Sequence, residues 1–295
     1  MSRPLDRFGA ILIVCLCVVW GFNQVVAKLA IAEVGPIAQT GIRSAIGVLC
    51  LVAYAVAARR RVFVADGTGA AGVLVGVLFT VEFIALYEAL RWTTVARATV
   101  FIYSAPFFVA LGAALFLKEE RLARRQWLGL ALAFFGVAVG LAGRAPGAGS
   151  LFGDALALIA AVFWAATTIL IKATPLRHID PVKTLLYQIA VATLISPLAA
   201  WAIGESAPTH LSSLTIAALI WQGVAVVGVS YTLWFWTLTR YAAAQLSAFT
   251  FITPLVGVMG GALVFGDRVT PAFALALALV LAGLALVNWP RRAGA

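Results

Sequence analysis

The sequence predicts an all-α membrane protein: ten transmembrane helices arranged as two inverted five-helix repeats. Three observations carry that expectation. Of 295 residues, 63% are hydrophobic and 11% charged, where an ordinary soluble domain has about 25% charged. Ten apolar stretches reach or approach the roughly 20 residues that a crossing helix needs. Trp, Lys, Arg and Pro recur at a nearly constant offset along the chain.

The spans are expected, in order, at Phe8–Ala32, Pro36–Ala58, Ala70–Leu90, Val95–Leu117, Trp127–Gly143, Leu151–Thr174, Pro181–Ile203, Leu214–Leu238, Gln245–Phe265 and Ala272–Trp289. The first follows a short basic stretch, Met1 to Arg7, and is too long for a signal-peptide core, so it is read as a retained span. Proline opens the second and seventh, where a missing N–H costs nothing. Pro106 and Pro254 fall inside the fourth and ninth and predict kinks, a pair of gating helices.

With the N-terminus inside, the inner segments hold 15 Lys or Arg and the outer loops 4. That bias places both termini in the cytoplasm. A net charge of +10 is explained in this way and not by nucleic acid, because no basic stripe runs along a polar surface.

The run 145–149 is the one small, Gly/Pro-rich linker near the middle. It divides the chain into a first five-helix repeat, 1–144, and a second, 150–290. Trp20 and Trp164 are 144 positions apart, as are Lys28 and Lys172. Leu90-Arg91-Trp92 matches Thr239-Arg240-Tyr241, and Ser104-Ala105-Pro106 matches Ile252-Thr253-Pro254, at offsets of 148 to 149. Five is odd, so the two copies enter the bilayer from opposite sides. Inverted repeats place a substrate site near the midplane between them.

The candidate site residues follow from depth. Trp20 and Trp164 lie halfway along their spans, too deep for the interfacial belt. They are read either as walls of a substrate cavity or as core packing. Asn23 and Gln24, one turn beyond Trp20, and Thr167 and Thr168, beyond Trp164, need partners or water at that depth. Phe79, Glu82, Phe83 and Tyr87 share one face of the third span; Tyr231, Trp234 and Phe235 share a face of the eighth. A mid-membrane carboxylate is costly and faces a cavity or a cation. Glu82 is therefore expected to pair with Arg43 or Lys28, or to bind a proton or an amino group. Tyr103 faces the bend expected at Pro106. Glu88, Arg91 and Arg97 are expected at the outer interface, solvated or paired, and Lys28 and Lys172 to snorkel from helix ends. Small residues four apart (Gly72 and Gly76, Gly136 and Gly140, Gly257 and Gly261) predict close helix packing within the monomer, with a dimer face as the alternative.

Other chemistry is not supported. Cys15, Cys17 and Cys50 form no C-x-x-C pair and read as small apolar residues, and His178 and His210 fall on opposite sides, so no metal site is expected. The glycines at 67, 69 and 72 spell a formal G-x-G-x-x-G with no strand before it, so a loop and no nucleotide site is expected. No cofactor and no enzymatic activity is expected.

Val19-Trp20-Gly21-Phe22-Asn23 with Lys28 resembles the opening helix of the EamA family of the drug/metabolite transporter superfamily. Phe116-Leu117-Lys118-Glu119-Glu120-Arg121-Leu122, followed by Gln126-Trp127-Leu128-Gly129 and Gly136-Val137, resembles that family's passage between the fourth and fifth helices. Phe265-Gly266-Asp267 with Gly283 is similar to its second copy, with Asp where Glu is usual. The resemblance implies a secondary carrier that exports small amphiphilic metabolites across the bacterial inner membrane by alternating access. The aromatic lining is most similar to YddG-type exporters of aromatic and other neutral amino acids. By that resemblance Trp20, Phe79, Phe83, Tyr103, Trp164 and Tyr231 line the cavity. The expected partners are a small-molecule substrate and the lipid bilayer, no nucleic acid, with the chain a monomer or weak homodimer. Two alternatives stay open: the same fold carrying a cationic drug or sugar phosphate, and a membrane protein that transports nothing.

Overall fold

The computed structural model describes residues 6–116, 123–143, 147, 149–241, 246, 249–250 and 252–288, apart from the side chains of Phe235, Leu238, Thr239 and Asn288. Most of the expected linker 145–149, the Lys118 to Arg121 part of the fourth-to-fifth passage, Phe251 and Trp289 lie outside those residues.

The described residues form ten helical spans. The first three are Arg7–Ala30, Pro36–Ala57 and Gly69–Trp92. The fourth is built from Val95–Ile102 and Ala105–Phe116. The fifth, sixth and seventh are Arg124–Ala142, Leu151–Ala173 and Pro181–Ala202. The eighth joins Ser213–Ile220, a π-helical segment Trp221–Ser230, and Tyr231–Arg240. The ninth and tenth are Ile252–Phe265 and Pro271–Asn288. Eight are long and apolar enough to cross a membrane, and the last two are shorter apolar helices.

Local chemistry sets the helix ends. Asp6 caps the first span by accepting from Gly9 N at 2.7 Å, Ser150 the sixth from Gly153 N at 3.1 Å, and Asp180 the seventh from Val182 N at 2.9 Å. The second span, which opens on Pro36, is capped from afar. Glu205, in the loop after the seventh, accepts from Ile37 N at 3.3 Å and Ala38 N at 3.1 Å. The second and seventh end alike, with the N–H of Arg60 on the Ala55 carbonyl and that of Glu205 on the Ala200 carbonyl, both 2.8 Å. The left-handed residue that this ending needs is Gly204 in one case (φ 73°) and Arg59 in the other (φ 50°).

Two spans depart from the unbroken helices expected. The fourth stops at Ile102, turns through Tyr103 and Ser104, and restarts. Pro106 explains the break: it has no N–H, and its ring excludes the carbonyl four residues back, that of Ile102. Ser104 takes up the end by donating its hydroxyl to the Phe101 carbonyl at 2.6 Å. Pro106 thus lies in the first turn of the second piece, and Pro254 in the first turn of the ninth span's described helix. The eighth span widens into a π-helix between two α-helical ends.

The packing follows the repeat. The second and seventh spans pack on one another, as do the fourth and ninth and the fifth and tenth. The third packs on the sixth as the first does on the eighth, the third on the seventh as the second on the eighth, and the first on the ninth as the fourth on the sixth. Every such pair maps onto another, or onto itself, when the halves are exchanged. The paired glycines serve these contacts. A Cβ on Gly136 would lie 2.9 Å from the Ala276 carbonyl, and one on Gly129 2.8 Å from the Gly283 carbonyl. Gly76 meets Val191, and Gly257 meets Thr99.

Candidate functional site

The middle of the bundle gathers most of the aromatic residues singled out above. Trp20 is half-buried; its Nε1 donates to Ser230 Oγ at 2.9 Å. Its ring centroid is 6.3 Å from Tyr231 and 5.4 Å from Trp234. Asn23 and Gln24 are buried, and Asn23 Oδ1 and Gln24 Oε1 have no hydrogen-bond partner among the described residues. A buried polar atom without a partner is costly, so two on one helical turn call for an explanation.

On the third span Phe79, Glu82, Phe83 and Tyr87 are all buried. Phe79 and Phe83 lie 4.6 Å apart, and Phe83 meets Tyr87 edge-on at 5.9 Å. The Tyr87 hydroxyl accepts from Arg43 Nη1 at 2.7 Å and donates to Gln222 Oε1 at 2.9 Å. Arg43 also lies over the Phe83 ring, 3.9 Å from its centroid. Of the partners foreseen for Glu82, Arg43 is the charge that acts on it, without closing into an ion pair. Lys28 is engaged elsewhere: it donates to the Thr93 carbonyl at 2.7 Å.

Across the bundle Tyr103 meets Trp164 edge-on at 5.8 Å. The break ahead of Pro106 is what turns Tyr103 out of a continuous helix. The Thr168 hydroxyl donates to the Trp164 carbonyl at 3.0 Å, so it is used within its own helix. Thr167 Oγ1, by contrast, is buried without a partner among the described residues. The Phe235 side chain lies outside the described residues. The two tryptophans keep different company, Trp20 facing the eighth span and Trp164 the fourth. Tyr231 links Trp20 to Arg43, since it touches the first and interacts with the second, and it packs against the large core cluster to which Phe79 and Phe83 belong.

Four participants were not foreseen: Ser230, Gln222, the π-helical segment and the reach of Arg43. The π-helix has no periodic signature in a run of Val, Ala and Gly. Its glycines were the available signal: Gly223 packs against Ile46, and a Cβ on Gly228 would lie 2.8 Å from that of Cys50. Wide helical turns of this kind are frequent at functional sites.

A second polar cluster ties one end of the bundle. Arg97, expected at the outer interface and solvated or paired, is paired and buried. Its Nη2 lies 2.7 Å from Asp154 Oδ2 and 2.8 Å from the Gly140 carbonyl, and its Nε lies 3.0 Å from Asp154 Oδ1. Thr93 Oγ1 donates to Asp154 at 2.8 Å, and Asp267 accepts from Ala96 N at 2.9 Å. This lock joins the first, third, fourth, fifth, sixth and ninth spans. All eight residues of Val95–Ile102, beneath it, are buried. At the opposite end Asp66 meets Lys183 Nζ at 2.7 Å and Arg60 meets Asp180 at 3.0 Å. Lys183, with Thr68, holds the Asp66 carboxyl down at about 2. The G-x-G-x-x-G run is the loop around this residue, with Thr68 Oγ1 donating to Asp66 at 2.6 Å.

Comparison with known proteins agrees with this architecture. The model of the EamA-like transporter family matches residues 7–141 and again 151–289. The chain is 28% identical over 291 residues to a protein of Escherichia coli strain K12 named as a probable amino-acid metabolite efflux pump, covering 95% of this chain and 94% of that one. It is 25% identical over 285 residues to an uncharacterised transporter of Bacillus subtilis strain 168, covering 96% and 92%. A solved crystal structure shares the fold with a TM-score of 0.65 at 20% identity, over 96% of this chain and 98% of its own.

Proposed function

Since the chain belongs to the EamA-like transporter family, and is thus a multi-pass membrane transporter of small molecules and not an enzyme, we propose that it exports aromatic and other neutral amino acids across the bacterial inner membrane. Export runs by alternating access between the inverted halves, 1–144 and 150–290, with both termini in the cytoplasm. Trp20, Phe79, Phe83, Tyr103, Trp164 and Tyr231, with Phe235, form the apolar walls. Asn23, Gln24, Glu82 and Thr168 orient the polar end. Pro106 and Pro254 mark where the fourth and ninth spans flex.

The observation that carries this reading is the pairing of clustered aromatics in tilted and edge-on contact with unpartnered acceptors at mid-span. Trp20 sits beside Tyr231 and Trp234, and one turn away Asn23 Oδ1 and Gln24 Oε1 have no partner among the described residues. An amphiphile with a flat apolar side chain and a hydrogen-bonding head matches that arrangement. The names of the Escherichia coli and Salmonella typhimurium relatives, both probable amino-acid metabolite efflux pumps, point to the same class.

The test is purified protein in liposomes, given labelled phenylalanine, tryptophan, leucine and threonine under imposed proton gradients. Movement of aromatic and neutral amino acids above empty liposomes is expected. If none moves under any gradient, this reading is wrong. Trp20→Ala combined with Trp164→Ala is expected to lower the rate on the order of tenfold or more, as loss of paired aromatic anchors does.

A further inference from the structure

The interior holds two Arg–carboxylate neighbourhoods, and they are built differently. Arg97 and Asp154 close onto each other through several short contacts. Arg43 and Glu82 are as deeply buried, at 1% and 6% exposure. They feel each other's charge yet form no ion pair. This chain can thus close a buried pair where it needs one, and here it does not.

The guanidinium is also under-used. It carries five N–H donors; the Nη1 group serves Tyr87 and the guanidinium also interacts with the Tyr231 hydroxyl, while buried Nε and Nη2 close no hydrogen bond of good geometry with any described residue. Gln222, at the end of the Tyr87 relay, likewise leaves Nε2 without a partner among the described residues. The guanidinium carbon lies over the Phe83 ring, 3.9 Å from its centroid. Glu82, the residue before Phe83, makes no hydrogen bond among the described residues. The place is continuous with the aromatic walls, because Tyr231 interacts with Arg43 and packs on Trp20. Unspent donors and an unspent carboxylate, held apart beside aromatic rings, complement a molecule with both a carboxylate and an ammonium group. Fork-shaped carboxylate recognition is what a guanidinium does best.

We propose that Arg43 and Glu82 are the charged pole of the site, Arg43 receiving the carboxylate and Glu82 the ammonium of a zwitterionic substrate whose side chain lies toward Trp20 and Tyr231. This rests on the amino-acid reading above and adds to it a charge rule. The α-carboxylate and the α-ammonium are both required, so decarboxylated amines, carboxamides and N-acylated acids are poor ligands.

The experiment measures equilibrium binding to the full-length protein in detergent or nanodiscs. The four probes are L-phenylalanine, L-phenylalaninamide, phenethylamine and N-acetyl-L-phenylalanine. The wild type is expected to prefer phenylalanine over each of the others by about tenfold or more, as loss of a charge-assisted contact implies. Arg43→Gln is expected to abolish the preference over the amide, and Glu82→Gln the preference over the N-acetyl acid. Folding of each variant is checked by its melting temperature. A wild type that binds phenylalanine and its amide equally overturns the proposal without any variant, and leaves amino-acid export standing. A folded Arg43→Gln that keeps the wild-type ratio overturns it as well. If the wild type binds none of the four, the amino-acid reading falls and this inference with it.

Discussion

Arg97 shows how a single buried charge is made tolerable. A guanidinium in this environment is affordable only with its donors occupied; Asp154 and the Gly140 carbonyl accept them, and Thr93 donates to Asp154 in turn. Removing one partner leaves the other charged and stranded. Asp154→Leu is expected to cost about 3–5 kcal/mol, whereas Arg97→Leu with Asp154→Leu costs less than either single change. Melting temperatures of the three variants in one detergent check this. Arg59 is a smaller case. It occupies a left-handed position that Gly204 fills at the matching helix end. Arg59→Gly relieves that backbone and should stabilise by about 1 kcal/mol, read as a raised melting temperature. Asp66 gives a pH effect of definite sign. Its folded value lies below its ordinary 3.8, at about 2. A depressed carboxylate adds stability above its unfolded value and loses it as pH falls through the folded one. The Lys183 contact therefore contributes fully at neutral pH and fades from pH 3.8 toward 2. The melting-temperature gap between wild type and Asp66→Asn should narrow across that window.

At the scale of elements, hydropathy located the spans and proline located the break in the fourth. The difference between a kink and an interruption was not legible. It depends on Ser104 capturing the Phe101 carbonyl and on every residue of Val95–Ile102 being enclosed by neighbours. The glycine spacing did announce close packing, and the partners make the consequence specific. A side chain at Gly136 would press on the Ala276 carbonyl at 2.9 Å and on Leu279 Cβ at the same distance. Gly136→Val is expected to cost about 1–3 kcal/mol by overpacking. Size-exclusion elution should not change, since this contact joins the fifth and tenth spans of one chain.

For the whole molecule, the exchange symmetry of the packing is the physical form of the repeat seen in the Trp, Lys, Arg and Pro offsets. The symmetry fails at the site, where Trp20 faces the eighth span and Trp164 the fourth. Two inverted halves that are not in the same conformation are what alternating access requires. On that reading the Arg97–Asp154 lock holds one end shut and must open during transport. A milder change there, Asp154→Asn, is expected to alter the transport rate even where enough folded protein remains for binding to phenylalanine to be unchanged.

The amino-acid sequence by itself determined the membrane class, the ten spans, the two-half organisation and the aromatic residues at mid-depth. Each of these follows from local hydropathy, from helical periodicity, or from a repeat that can be counted along the chain. It also marked Glu82 as a charge in a costly place, with Arg43 or Lys28 as its partner, and put Arg97 at the outer interface, solvated or paired. Only the tertiary structure decided which of them closed into a pair. That depends on distances between helices far apart in sequence, set by glycine contacts, a broken fourth span and a π-helical turn. None of these distances is encoded in the spacing of any one helix.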